Sequence, residues 1–145
     1  MTYFPLVSYS KQDEYLHHFK NKYCHGPIIT FDGFKVVFTH KDFDHAFFES
    51  SNAKEKDKSI FSRTRAERID WIEKALTDCN AELKCGWVKE TNTYTNKTRI
   101  AVVDNNYLVI IRITGTGKAR FVTAFVGDDT LGTLLRIKTS PDWYI

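Results

Sequence analysis

The sequence lacks the features that mark disulfide-stabilised, secreted and membrane-spanning proteins. Its three cysteines, Cys24, Cys79 and Cys85, are odd in number and have no CxxC spacing, so we expect neither a disulfide framework nor a zinc site. No apolar run approaches the ~20 residues of a membrane helix. Residues 1–14 contain no basic region followed by a long apolar segment, so we expect no signal peptide. These absences predict a cytoplasmic protein with reduced thiols and no membrane contact.

The signatures of common enzyme sites are also missing. There is no HExxH, no GxSxG and no acidic cluster that would hold magnesium. The segment GTGKAR, residues 115–120, lacks the GxxxxGK[ST] spacing of a Walker loop and joins two strands instead of a strand and a helix. Cys24 precedes His25, but this adjacency is sequential only. We therefore expect no metal and no cofactor.

The composition is that of one globular domain, residues 1–145. Hydrophobic residues make up 42% of the chain and aromatic residues 14%, which favours a packed core over disorder. A chain of 145 residues has no room for two ordinary cores. The net charge of +3 is too small to identify a nucleic-acid binder, but a local patch can still be strongly basic.

The longest run of β-branched and aromatic residues spans residues 97–123 and predicts three antiparallel strands joined by two tight turns. Arg112, Arg120 and Thr123 interrupt it, and a plain core strand would not contain them. Basic and hydroxyl side chains on such a sheet indicate a functional site.

The pairing register of the last hairpin has two alternatives. If the loop is residues 115–117, Arg112 faces Arg120. If Lys118 belongs to the loop, Arg112 faces Phe121 and Ile110 faces Thr123. A slip of one residue changes which side chains share a face of the sheet.

The first half of the chain predicts helices and one hairpin. Apolar residues on one face predict a helix that begins after Ser10, its expected N-cap, and ends before Gly26-Pro27, with His17 and His18 on its polar face and solvated. Two β-rich runs are joined by Asp32-Gly33, a strong hairpin signal. Residues 40–48 then predict a short helix that carries His45.

The clearest helix begins with Thr64 and Glu67, which form a capping box, and extends to residue 76. The first turns of this helix contain three arginines, Arg63, Arg65 and Arg68, where the helix dipole favours anions. Either a bound phosphate offsets their charge, or they are surface residues that pair with Glu67 and Asp70.

The tail, residues 127–145, predicts a short helix or a last strand. It carries Lys138 and Ser140, and Trp143 either plugs the core or stacks on a base. Together these elements predict an α+β fold. In it, N-terminal helices and a β-hairpin pack on a curved, mainly antiparallel sheet of four or five strands.

The remaining chemistry is a set of Lys, Arg, His, Ser and Thr side chains. This set suits metal-free cleavage of RNA, in which the ribose 2′-OH attacks its own phosphate and gives a 2′,3′-cyclic phosphate. Histidine can act as acid or base near neutral pH, and cations stabilise the charge that develops on phosphorus.

Three segments together resemble the phage-associated branch of the barnase–EndoU–colicin–RelE-like nuclease fold. They are KVVFTHKDFDHAFF (residues 35–48), FSRTRAERIDWIEKAL (residues 61–76) and YLVIIRIT with ARFVTAFV (within residues 107–126). The resemblance implies a metal-independent endoribonuclease of the toxin type, directed at tRNA or other RNA. It also implies a neutralising antitoxin or immunity protein, and such toxins can be delivered into a target cell without a signal peptide.

The resemblance also implies site residues. His45 is expected as acid or base, with His40 as the alternative if His45 is packed. Arg65 and Arg112 would bind the scissile phosphate and Thr123 would position it. The expected substrate-binding residues are Lys89, Arg120, Lys138 and Ser140.

Two other functions compete with RNA cleavage. The chain could be a non-catalytic RNA- or protein-binding module, in which the arginines hold phosphates and no acid–base pair converges. It could also be a phage- or defence-associated interaction protein, whose arginines pair with acids. A histidine in the same cleft as Arg112 and Thr123 would favour catalysis.

Overall fold

The fold is built from short helices and a central sheet. The computed structural model describes residues 5–49, 60–88, 90–127 and 133–144. The helices are α1 (Gln12–Tyr23), α2 (Lys41–Phe47), α3 (Arg63–Ala66), α4 (Trp71–Thr77) and α5 (Thr133–Lys138). The strands are β1 (Ile28–Ile29), β2 (Lys35–Val37), β3 (Phe48–Glu49), β4 (Ile60–Phe61), β5 (Glu82–Val88), β6 (Thr93–Val103), β7 (Tyr107–Gly115) and β8 (Lys118–Val126).

Six strands form one sheet in the order β1-β2-β8-β7-β6-β5, and β3 pairs separately with β4. Every neighbouring pair in the large sheet is antiparallel except β2–β8, which is parallel. The α+β class and the mainly antiparallel sheet are therefore confirmed. The expected strand number of four or five was wrong, because the hairpin β1–β2 does not pack on the sheet. It extends the sheet by pairing with β8, whose backbone edge would otherwise lack partners at that end.

The hairpin loop is longer than Asp32-Gly33. Five residues, Thr30 to Phe34, separate the two strands. The Thr30 hydroxyl donates to Asp32 Oδ1 at 2.6 Å and accepts from the Phe34 amide at 2.8 Å. Gly33 has a φ of 94°, a left-handed value that a side chain would strain. The pairs Ile28–Val36 and Ile29–Lys35 are shifted by one residue from the register of a two-residue loop, and the Thr30 amide donates to Phe34 O at 2.8 Å.

The last hairpin contains both registers that the sequence left open. Near the turn, Arg112 faces Arg120, whereas further along Ile110 faces Thr123. A register shift between these pairs leaves Val122 without a partner on β7. A β-bulge adds one residue to one strand and re-aims the side chains beyond it, so each alternative is right for part of the hairpin.

The helix expected from Thr64 to residue 76 is broken into α3 and α4. Ser62, and not Thr64, caps α3, because its hydroxyl accepts from the Arg65 amide at 3.3 Å. The Tyr23 hydroxyl occupies the break: it donates to Ile69 O at 2.6 Å and accepts from the Glu73 amide at 3.1 Å. Burial raises the pKa of Tyr23 well above its usual value. The apolar stripe of the predicted helix nevertheless reaches the core.

Two hydrophobic clusters lie on opposite faces of the sheet. The larger one packs the first four helices against one face and contains Phe19, Phe43 and Phe121. The smaller one places Leu134 and Ile137 of α5 on the other face. The tail is thus a short helix, one of the two predicted alternatives. In the part of the chain that the structure describes, no helix is long and apolar enough to cross a membrane.

A buried arginine joins three distant parts of the chain. The Arg99 side chain, on β6, is 1% exposed, and its Nη1 donates to Asp32 Oδ2 at 2.8 Å. Its guanidinium carbon lies 4.9 Å from the centre of the Trp143 ring and about as close to the rings of Phe31 and Phe34, at 5.5 and 5.6 Å. Trp143 is therefore a packing residue, as the first of its two interpretations predicted. Sequence reasoning did not single out Arg99.

Replacing Tyr23 by Phe tests whether its hydroxyl holds the α3–α4 junction. The change leaves the Ile69 carbonyl and the Glu73 amide without this partner, so we expect the free energy of unfolding to fall by about 1–3 kcal/mol. Urea denaturation measures it. Tyr144, which is 72% exposed, provides the control, because Tyr144→Phe should change stability by less than about 0.5 kcal/mol. Equal effects of the two substitutions would contradict this role.

Replacing Asp32 by Asn tests its ion pair with the buried Arg99. Burial alone would raise the pKa of Asp32, but the hydrogen bonds from Arg99 and Thr30 and the Arg99 charge outweigh it and lower the pKa. A lowered pKa in the folded state stabilises the protein above the unfolded-state pKa, about 3.9, and this stabilisation disappears as pH falls through the folded-state value.

We therefore expect Asp32→Asn to destabilise the protein by roughly 1.5–3 kcal/mol at pH 7, with a difference from the parent protein that shrinks below about pH 4. Thermal denaturation as a function of pH measures both. Asp142, whose side chain is 82% exposed and pairs with Lys84, is the control, and Asp142→Asn should cost less than about 1 kcal/mol because Glu82 still pairs with Lys84. A loss for Asp32→Asn that does not change with pH would exclude a charge effect.

Candidate functional site

A cleft opens where β2 ends beside β8. Strand β2 pairs with β8 only as far as Arg120, and α2 packs against β8 beyond that point. The cleft has a volume of about 230 Å³. It is lined by Asp42, His45, Arg112, Arg120, Phe121 and Val122. The structure therefore brings together three of the predicted site residues, His45, Arg112 and Arg120.

The two arginines form a cross-strand pair of like charge. Arg112 and Arg120 are directly opposite each other on β7 and β8, and both are exposed. Within residues 5–49, 60–88, 90–127 and 133–144, neither guanidinium has an acidic partner within 4.0 Å. Like charges directly opposite each other destabilise a sheet. A bound anion would remove this repulsion, and a phosphate can accept hydrogen bonds from both planar groups.

Helix α2 supplies the titratable groups of the cleft. Asp42 and His45 are one turn apart, on a helix whose opposite face buries Phe43 and Phe47. Asp42 Oδ2 accepts from the Thr39 amide at 2.8 Å, which fixes its carboxylate. His45 is exposed, and its ring has no hydrogen-bond partner among the described residues. A carboxylate and an imidazole beside a cationic pair are the groups that general acid–base catalysis requires.

Sequence reasoning missed Asp42. The available signal was its position three residues before His45 on a predicted helix, which places both side chains on one face. His40 immediately precedes α2 and does not line the cleft. The exposed position of His45 removes the condition under which His40 was the alternative.

Thr123 does not line the cleft. The bulge at Val122 pairs Thr123 with Ile110, a residue that packs against the smaller hydrophobic cluster. The Thr123 hydroxyl oxygen is buried and has no hydrogen-bond partner in the described part of the chain. The predicted role of Thr123 in positioning a phosphate therefore has no geometric support at this cleft.

Arg65 also lies outside the cleft. Its Nη1 donates to Ala46 O at 3.2 Å, and its Nε lies 3.6 Å from Glu49 Oε1. Its guanidinium carbon is 5.1 Å from the ring centre of Phe125. Burial lowers the pKa of Arg65, and the charge of Glu49 opposes that shift. Arg65 thus braces α2 against α3 and β8, which makes it a support of the cleft and not part of its lining.

The remaining predicted binding residues are elsewhere. Ser140 is buried and donates to Ile137 O at 2.8 Å, so it closes the turn after α5. Lys138 lines a different cavity, next to Val103. Val103 pairs with Tyr107, five residues before Arg112, which puts the two regions roughly 16 Å apart along β7. Lys89 lies outside the described residues.

His18, which the sequence predicted to be solvated, has two hydrogen-bond partners in the structure. His18 Nδ1 lies 2.8 Å from the Tyr9 hydroxyl, and His18 Nε2 lies 2.7 Å from Asp70 Oδ1. Burial would raise the pKa of Asp70, but hydrogen bonds from His18 and Lys22 lower it. This cluster ties the N-terminal segment to α1 and to the start of α4. Asp70 therefore pairs with α1 and not with the arginines of α3.

Comparison of the chain with protein-family models, with curated proteins and with solved structures finds no match.

Replacing Arg120 by Gln tests the repulsion within the arginine pair. Because the change removes one of two like charges and keeps a long polar side chain, we expect the free energy of unfolding to rise by about 0.2–1 kcal/mol at low salt. The gain should shrink as salt screens the pair. Urea denaturation at two salt concentrations measures it. Lys11→Gln, on the opposite side of the sheet, controls for net charge, and an equal gain there would contradict a local effect.

Proposed function

We propose that the protein is a metal-independent endoribonuclease of the toxin or effector type. The substrate is RNA, with tRNA among the candidates. The reaction takes place in the cytoplasm, either of the producing cell or of a cell into which the protein is delivered. The observation that carries the proposal is the convergence of His45 and Asp42 with the unpaired arginines Arg112 and Arg120 in one cleft.

The chemistry assigns a role to each side chain. Asp42 accepts the proton of the ribose 2′-OH as its oxygen forms a bond to phosphorus. The bond from phosphorus to the 5′-oxygen breaks, and His45 donates a proton to that leaving oxygen. Arg112 and Arg120 hold the non-bridging oxygens and stabilise the charge that they gain in the transition state. The products are a 2′,3′-cyclic phosphate and a free 5′-OH.

The cleft suits a phosphodiester within a chain. It is open to solvent along the sheet edge, so a polymer can enter and leave without passing through a closed cavity. A neutralising antitoxin or immunity protein would have to cover this edge. Charge complementarity predicts an acidic surface on that partner, because it would meet both arginines at once.

A non-catalytic RNA-binding module is the second candidate. The observation that favours it is the absence of Thr123 from the cleft, since the resemblance implies a hydroxyl group beside the phosphate. In that case Arg112 and Arg120 would hold a phosphate, and His45 would be an exposed histidine of α2 without a catalytic role.

The test incubates total bacterial RNA with the protein in EDTA and maps the termini of the fragments. We expect discrete fragments that end in 2′,3′-cyclic phosphate. His45→Ala should reduce the cleavage rate by about 10²–10⁴-fold, since general acid catalysis contributes a factor of that size. Asp42→Asn should give a comparable loss. Thr123→Ala should leave the rate unchanged because Thr123 does not line the cleft.

His17, an exposed histidine on α1, is the matched control, and His17→Ala should cleave at the parent rate. Equal rates for His45→Ala and the parent protein would mean that the site is wrong. Salt-sensitive RNA retention without cleavage, lost in the Arg112→Gln/Arg120→Gln variant, would establish the binding module instead. Neither cleavage nor retention would favour an interaction protein.

A further inference from the structure

The strands in the middle of the large sheet are basic. Strands β2, β6, β7 and β8 contain no Asp or Glu, although the whole chain has 18 acidic residues. Lys35 pairs with Lys118, and Arg112 pairs with Arg120. Paired residues, and residues two apart on one strand, share a face of the sheet. These four cationic side chains therefore lie on one face, which we call the basic face.

The basic face is turned away from the main core and open to solvent. Val36, Ile111 and Ala119 alternate with the four cations along the strands and are buried in that core. All four cations are exposed. Among the described residues, none of them has an acidic partner within 4.0 Å. Because like charges paired across strands repel each other, this face fits an anionic partner.

Two exposed aliphatic side chains share the basic face. Ile29 pairs with Lys35 across β1 and β2, and Val37 lies two residues after Lys35 and pairs with Arg120. Ile29 is 47% exposed and Val37 is 48% exposed. Both aliphatic groups therefore lie beside the cations, and a partner that covers this face meets negative charge and apolar surface together.

The combination of charge and apolar surface selects among partners. A second copy of the chain would bring four cations against four others. A nucleic-acid backbone supplies negative charge but no apolar layer for the two aliphatic groups. A bilayer that contains anionic lipids supplies both, since headgroup phosphates attract Lys and Arg and the acyl boundary accepts apolar side chains.

We propose that the basic face binds to the surface of a bilayer that contains anionic phospholipids. The four cations contact headgroup phosphates, and Ile29 and Val37 reach the acyl boundary. We expected no membrane contact because the sequence has neither a membrane helix nor a signal peptide. Contact through one face of a folded sheet requires neither of them. The proposal does not depend on RNA cleavage.

The experiment measures sedimentation of the protein with phosphatidylcholine vesicles, with and without phosphatidylglycerol, at several salt concentrations. We expect binding only to the anionic vesicles and weaker binding as salt rises. Lys35→Gln/Lys118→Gln should weaken binding by about 25-fold, because each cation near an anionic surface contributes about fivefold. The matched control is Lys11→Gln/Lys20→Gln, on the main-core side of the sheet, which should bind as the parent protein does.

A second pair of variants tests the apolar contact. Ile29→Ser/Val37→Ser should weaken binding by about tenfold and leave its salt dependence unchanged, because about half of each side chain is free to be buried. Leu6 and Ile60 are similarly exposed, at 43% and 49%, and lie outside the large sheet. Leu6→Ser/Ile60→Ser is therefore the matched control and should bind as the parent protein does.

Equal binding to neutral and anionic vesicles would overturn the proposal, as would equal affinities of the lysine variant and its control. Parent-like binding by the aliphatic variant would also overturn it, because the contact would then be electrostatic only. RNA retention without binding to anionic vesicles would overturn it and assign the face to nucleic acid. Binding to anionic vesicles with these variant effects, but without RNA cleavage, would support it and overturn only the catalytic proposal.

Discussion

The burial of the Arg99 guanidinium is the constraint on which the arrangement of the chain depends. A charge removed from water is tolerated only when a partner and polarisable neighbours surround it. Here the partner, Asp32, comes from the hairpin loop, and the aromatic rings come from that loop and from the tail. The contacts of one side chain of β6 therefore determine where the first hairpin loop and Trp143 lie.

The position of the hairpin in turn creates the cleft. Because the loop is held over β6, strand β2 lies parallel to β8 and pairs with only its first three residues. Helix α2 contacts the rest of the β8 edge. The cleft lies where α2 takes the place of β2 beside β8. A longer β2 would have covered the edge at Val122 and displaced the helix that carries Asp42 and His45.

Electrostatics separate the structural arginines from those available for binding. Arg65 and Arg99 are largely buried and contact carboxylates and rings of the same chain. Arg112 and Arg120 are exposed, face each other and have no acidic partner among the described residues. Lys35 and Lys118 are likewise exposed and lie opposite each other on β2 and β8. Repulsion that the fold leaves in place on one surface is a physical reason to expect an anion there.

The sequence by itself determined the α+β class, the three-stranded meander, the short helix of His45 and the presence of Arg112 and Arg120 on adjacent strands. These follow from local periodicity and turn residues, which act over a few positions. Only the tertiary structure decided the break at Tyr23, the parallel pairing of β2 with β8, the bulge at Val122 and the burial of Arg65 and Arg99. Each of these depends on contacts between residues distant in the chain, and such contacts leave no periodic pattern in the sequence.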